Sequence, residues 1–245
     1  MTNTKADIIA RLQKDISPLQ GFRSALQNTA LDANIGAIKY AFPDATFPIA
    51  AVHEFISTQT EDAAATKGFM STILASLMRN NNASIWISNA KNIFPPALKG
   101  YGITPDKIIF INLQKEKDIL WVMEEALKCE GLAAVIAEIK ELSFTDSRRL
   151  QLAVEKSQVT GFIIRNNPRS LNTTACVTRW KITALPAGLQ ENMPGVGFPH
   201  WNIELLKVRN GKPGSWHVAC IAGQLKHTAL PAVEVIRFEQ RKKAG

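Results

Sequence analysis

Ile49-Ala50-Ala51-Val52-His53-Glu54-Phe55 is followed by Ser57-Thr58-Gln59-Thr60-Glu61-Asp62-Ala63-Ala64-Ala65-Thr66, and then by Lys67-Gly68. The first string reads as a buried strand and the second as a loop. Residues 67–80 read as a helix carrying Met70, Ile73, Leu74, Leu77 and Met78. Strand, short loop and helix in that order make the place where a nucleotide-binding unit keeps GxxxxGK[ST], whose backbone N–H groups and lysine hold the phosphates. The loop from Ser57 to Thr66 contains no glycine, so its backbone is ill suited to wrapping a polyphosphate. Glu61 and Asp62 repel one, and Lys67-Gly68 inverts the required order. The architecture expected is therefore that of a nucleotide-binding α/β fold whose phosphate chemistry has gone.

The rest of the chain supports that architecture. Residues 84–88, 107–113, 132–137 and 161–164 are short apolar runs that read as buried strands, and the last two suit the centre of a parallel sheet. Between them lie a short helix at 93–99, a helix at 116–129 and a helix at 147–158 with Asp146 or Thr145 as its cap. Strands alternating with helices imply a mostly parallel sheet. After Asn166 the pattern changes. Residues 176–184, 201–209 and 215–222 read as three strands without helices between them, and Asn210-Gly211-Lys212-Pro213-Gly214 turns the last two into a hairpin. Residues 4–19, with Ile8, Ile9, Leu12, Ile16 and Leu19, read as an amphipathic helix. The expected division is an N-terminal helix and connecting segment at 1–48, a core domain at 49–222 and a basic tail at 223–245.

Composition excludes several classes. The 245 residues are 46% hydrophobic and 20% charged, enough for one substantial core. No apolar run is long enough to span a membrane, and no signal region opens the sequence, so a cytoplasmic protein is expected. Cys129, Cys176 and Cys220 suggest neither disulfides nor zinc, and the four histidines form no ligand pair, so neither metal nor cofactor is expected. His53, beside Glu54, reads as a packed core histidine rather than a base. Trp86, Trp121, Trp180, Trp201 and Trp216 read as core or sheet-face residues, the last two as a cross-hairpin pair. The net charge of +8 is uneven. Residues 1–155 hold 16 Lys/Arg against 17 Asp/Glu, whereas residues 156–233 hold 9 Lys/Arg against Glu191 and Glu204. That basic half suits a polyanion or an acidic protein surface.

Several strings, in order, resemble RecA and, more closely, its small ATPase-deficient relatives, the ImuA and SulA families. They are Ser84-Ile85-Trp86-Ile87-Ser88-Asn89, residues 98–106, residues 118–127, residues 132–142, Asp146-Ser147-Arg148-Arg149-Leu150-Gln151-Leu152, Thr178-Arg179-Trp180 and residues 201–216. The Ser147–Leu152 string and Arg209-Asn210-Gly211-Lys212-Pro213-Gly214-Ser215-Trp216 point to the ImuA family. The resemblance implies a RecA-like α/β fold. It places RecA's catalytic glutamate at Ala90, whose methyl cannot orient a water for attack on phosphate. It places the Walker B acid at Glu138, the phosphate-sensing glutamine near Asn166, and two interface lysines at Lys207 and Arg209. Of the two DNA loops of RecA, the first is deleted here. The second becomes a short basic segment between Arg165 and Cys176 that includes Arg169, with no aromatic residue for base stacking.

What the resemblance implies is a non-enzymatic accessory protein of damage-induced translesion synthesis. It would work with an ImuB-type Y-family-polymerase-like partner and an error-prone replicative-type polymerase, at the nucleoid when active. Arg165, Arg169, Arg179, Lys181, Lys207, Arg209 and Lys212 would supply a surface for DNA or an acidic partner. The tail residues Arg237, Arg241, Lys242 and Lys243 would supply a partner arm, and the helix at 4–19 a self-association contact. Any DNA contact would be weak, salt-sensitive and unspecific. Two alternatives stand beside this: a SulA-like inhibitor that binds the tubulin-like division protein, and a divergent ATPase whose nucleotide binding depends on Lys67.

Overall fold

The computed structural model describes residues 33–80, 82–90, 92–188 and 197–228. The helix expected at 4–19 and the tail residues Arg237, Arg241, Lys242 and Lys243 lie outside them.

The apolar runs become strands of one sheet. In chain order they are β1 (Val52–Ser57), β2 (Ser84–Ser88), β3 (Ile108–Asn112), β4 (Ala134–Ile139), β5 (Thr160–Asn166), β6 (Thr178–Gly188), β7 (Phe198–Val208), β8 (Gly214–Ile221) and β9 (Gln224–His227). Their order across the sheet is β3-β2-β4-β5-β1-β6-β7-β8-β9. The strands from β3 to β6 pair in parallel, and β6 to β9 pair antiparallel. A mostly parallel sheet with an antiparallel C-terminal extension was the expected architecture. β9 lies beyond residue 222, so the sheet continues into the segment assigned to the tail. Its four residues bury only Leu225, too little apolar pattern to announce a strand.

Helices α1 (Thr60–Leu77), α2 (Glu116–Leu127) and α3 (Phe144–Ser157) cover the two faces. On one face Phe69, Met70, Ile73 and Leu74 of α1 pack with Phe55, Trp86, Ile136, Phe162 and Trp180. On the other, Ile119 and Met123 of α2 and Leu150 and Val154 of α3 pack with Val52, Ile87, Val135 and Ile163. Continuous burial on both faces explains the apolar runs within β4 and β5, residues 134–137 and 162–164. Gly68 lets α1 approach the sheet: a Cβ there would stand 2.9 Å from the Trp201 ring and 2.7 Å from the Tyr101 hydroxyl.

Five local expectations are corrected. α1 begins at Thr60, not near Lys67, so Ala63-Ala64-Ala65 are helix rather than loop. α3 is capped by Ser143, whose Oγ accepts from the Asp146 N–H and donates to the Asp146 carboxylate, rather than by Asp146 or Thr145. The short helix near 93 is a 3-10 segment, Pro95–Tyr101. Trp216 lies opposite Ile203 and Trp201 opposite Val218, so the two rings are diagonal neighbours and not a pair. Trp121 points outward from α2, 61% exposed.

Residues 33–48 belong to the core. Ile35, Ile38, Phe42 and Phe47 are buried, and Phe47 stacks on His53. The hairpin turn after β7 docks here too: Lys212 N–H donates to Ala41 O at 2.8 Å, and that carbonyl leaves no room for a Cβ on Gly211.

His53 is fully buried, and its neighbours fix one tautomer. Pro48 O only accepts, so Nε2 carries the proton at 2.9 Å, and Nδ1 accepts from Thr178 Oγ1 at 2.7 Å. Thr178 Oγ1 in turn accepts from Trp180 Nε1. Burial pushes the pKa down to about 3, against the smaller opposing effect of the Pro48 carbonyl. The folded value lies below the ordinary 6.5, so the neutral ring's contribution to stability is complete above pH 6.5 and is lost as pH falls toward 3. The urea midpoint should fall across that window, and fall less steeply in His53→Gln; equal slopes would contradict the assignment.

Candidate functional site

In parallel α/β sheets, ligands bind outside the carboxyl ends of the strands, near the point where strand order reverses. Here that place lies at the ends of β1, β4 and β5 beside the start of α1. The chain's own side chains occupy it. Lys67 Nζ stands 3.0 Å from Glu138 Oε2 and donates to Asn92 Oδ1 at 2.8 Å. Glu138 is almost wholly buried; it also accepts from Trp86 Nε1 at 2.9 Å and from Asn166 Nδ2 at 3.1 Å. Asn166 Oδ1 accepts from Ser57 Oγ at 3.0 Å. Ser57, Lys67, Glu138 and Asn166 thus form one closed network. Ala90 lies apart, exposed, and its carbonyl accepts from Ser88 Oγ.

The connection from β1 to α1 is equally telling. Only Thr58 and Gln59 separate strand from helix. A loop of that length cannot encircle a phosphate. The first turn of α1 carries Glu61 and Asp62, which place negative charge at the positive end of the helix dipole. Asp62 is buried and accepts from Thr58 Oγ1 at 3.1 Å and from the Ala184 N–H at 3.0 Å. Glu61 is exposed.

A second polar network sits on the other face of the sheet. Glu54, in the middle of β1, has no exposed surface. Arg165 of β5 donates to its Oε1 at 2.8 Å, and Arg179 of β6 donates to its Oε2 at 2.8 Å. Arg165 uses all five of its N–H donors. Besides Glu54 they reach Lys140 O, Glu141 Oε2, Ser170 O and Asn172 Oδ1. Arg179 also donates to Asn172 O and Thr174 Oγ1. Lys207 donates to Thr174 O at 2.7 Å and Arg209 to Ala175 O at 3.2 Å. Burial, first of all, pulls the Lys207 ammonium below its ordinary range, and the neighbouring Arg179 and Arg209 pull the same way. Burial pushes the Cys176 thiol beside Glu54 up to about 12, so it is chemically quiet.

These contacts correct the basic surface expected from the sequence. Arg165 is wholly buried, and Arg179 is largely so; neither presents its charge to a partner. Lys207 and Arg209 spend donors on the carbonyls of the segment between β5 and β6. Lys181 is half-exposed and 3.7 Å from Glu204. Arg169 and Lys212 are exposed. The buried arginines had a sequence signal: charges on strands bounded by apolar runs need a buried counter-charge, and Glu54 was the acid available. Asn92 and Trp86 had none as members of the first network. Among the described residues, no group of three or more His, Cys, Asp or Glu side chains could hold a metal ion, and no helix is long and apolar enough to cross a membrane.

The fold is that of a RecA-like α/β domain, with Ser57, Lys67, Glu138 and Asn166 bonded to one another at the carboxyl end of its sheet. Among solved structures, the RadB recombinase superposes with a TM-score of 0.58 at 12% identity, covering 81% of this chain and all of that one, a likeness of fold alone. No protein-family model matches. Protein ImuA of Caulobacter vibrioides strain NA1000 / CB15N is 31% identical over 192 residues, 74% of this chain and 79% of that protein, and the same protein from strain ATCC 19089 matches equally. The chain belongs to the ImuA family. The cell division inhibitor SulA of Photorhabdus laumondii is 32% identical over 95 residues, 39% of this chain and 54% of that protein.

Removing Glu54 would leave two guanidinium groups without their buried anion. Glu54→Ala should cost about 3–5 kcal/mol in urea unfolding, typical of breaking one side of a buried pair. A loss below about 1 kcal/mol would contradict the central role of this carboxylate.

Proposed function

We propose that the protein is a non-catalytic accessory factor of DNA-damage-induced, error-prone translesion synthesis. It is a RecA-shaped body that holds an ImuB-type Y-family-polymerase-like partner and works with an error-prone replicative-type polymerase. The observation that carries this reading is the Lys67–Glu138 pair. The lysine, well inside α1, and the acid at the end of β4 neutralise each other directly beside the place where a RecA-like motor binds phosphate and Mg²⁺. Ala90 offers no group to orient an attacking water. With that chemistry spent on internal hydrogen bonds, the fold serves as a rigid scaffold. Membership of the ImuA family supports the link to damage-induced mutagenesis.

DNA contact, in this reading, is secondary. The exposed cations Arg169 and Lys212 favour phosphate over base contacts. The basic tail at 237–243 serves as an arm toward the partner. The partial similarity to the cell division inhibitor SulA favours one alternative, a protein that binds the tubulin-like division protein and no DNA.

The test is co-purification of the tagged full chain with the ImuB-type protein of the same organism, with the division protein as competitor. A stable complex with the former is expected. A chain ending at 228 keeps β9 intact, so partner loss on that truncation would locate the contact in the tail. Capture of the division protein alone would overturn the repair reading.

A further inference from the structure

Two large apolar side chains stand on the outer side of α3, where a surface helix is normally polar. Phe144, Arg148 and Leu152 recur every four residues and so share one ridge, while Ser147, Leu150, Gln151 and Val154 face inward. Phe144 is 54% exposed and Leu152 50%. The segment between β5 and β6 adds Leu171, also 54% exposed. Two hydrogen bonds hold that segment against the first turns of α3: Asn172 Nδ2 to Leu142 O at 2.7 Å and Ala175 N–H to Ser147 Oγ at 2.9 Å. Helix and loop therefore present a common apolar strip.

Its rim is cationic. Arg148, Arg149 and Lys156 on the helix, with Lys140 and Arg169 on the adjoining loops, are exposed. The acids nearby are turned to partners within the chain. Glu141 accepts from Arg165 and from the Arg169 N–H, and Asp146 from Ser143. Glu124 of α2 pairs with Arg149, and Glu155 lies 4.0 Å from Arg148. Among the described residues nothing covers the strip, and an apolar patch with a charged rim is the usual mark of an interaction site.

We propose that this ridge docks an amphipathic, acidic helical segment of the protein partner. The inference rests on the accessory-factor reading and names the surface it uses. Anchors at helical spacing suit a helix laid along them, and the cationic rim selects acidic flanks. Nucleic acid fits less well, because of these three exposed apolar side chains Phe144 alone is aromatic and the two leucines offer no stacking platform for bases.

The experiment compares the wild type, Leu152→Glu and Arg148→Glu in capture of the ImuB-type protein at low and high salt. Leu152 is half-exposed, so its substitution spares the core. Wild type should capture the partner, Leu152→Glu should lower recovery about tenfold or more, and Arg148→Glu should lower it and flatten its salt dependence. Equal capture by Leu152→Glu, with wild type active, overturns this inference and leaves the accessory-factor reading standing. No capture by wild type overturns both. In parallel, a fluorescein-labelled oligothymidylate is titrated into each protein. Lost DNA affinity with intact capture would reassign the ridge to nucleic acid. A melting temperature several degrees lower with intact capture would assign it to a segment of this same chain. Either result overturns the proposal.

Discussion

A carboxylate with no exposed surface, Glu54, lies at the centre of this fold. Burying a lone charge in a sheet is prohibitively costly, so the neighbouring strands must supply counter-charge. β5 supplies Arg165 and β6 supplies Arg179. Those two guanidiniums then need acceptors for their remaining donors, and the carbonyls of Lys140, Ser170 and Asn172 provide them. One acid on β1 thereby fixes both the short loop after β4 and the longer segment between β5 and β6. Most of the positive charge in that stretch is spent inside the protein before it reaches any surface.

The same logic governs the opposite face. A loop of two residues joins β1 to α1, and the first helical turn brings its own acids. Lys67 lies further along the helix and faces Glu138 across the sheet end, with Asn166 and Ser57 closing the network. Lys67, Glu138, Asn166 and Ser57 thus bond one another at the sheet end where a phosphate is expected. In the proposed reading the nucleotide site is replaced by this network, and the fold serves as a body with loops and helix ridges at one end of its sheet. In that reading function falls to surfaces, of which the α3 ridge is the least expected.

Much of this was legible in the sequence. Continuous apolar runs announced β2, β4 and β5, because a strand covered on both faces needs no polar alternation. The absence of glycine after β1 fits the two-residue connection found there. The start of α1 was misjudged because Gln59 makes no side-chain cap, although three successive alanines favoured helix there. β9 was hidden by its brevity. The basic surface was overestimated because a count of charges says nothing about burial. Arg165 and Arg179 are cationic in the sequence and internal in the fold. Phe144 and Leu152 show the opposite case, apolar in the sequence and exposed in the fold.

The central claim is that Lys67 and Glu138 satisfy each other where a motor would hold MgATP. The most direct measurement is the unfolding temperature of the full chain titrated with MgATP, in wild type and Lys67→Ala. The account predicts no saturable rise in wild type and no nucleotide-dependent difference between the two. A saturable rise in wild type that Lys67→Ala abolishes would contradict it and return the protein to the ATPases.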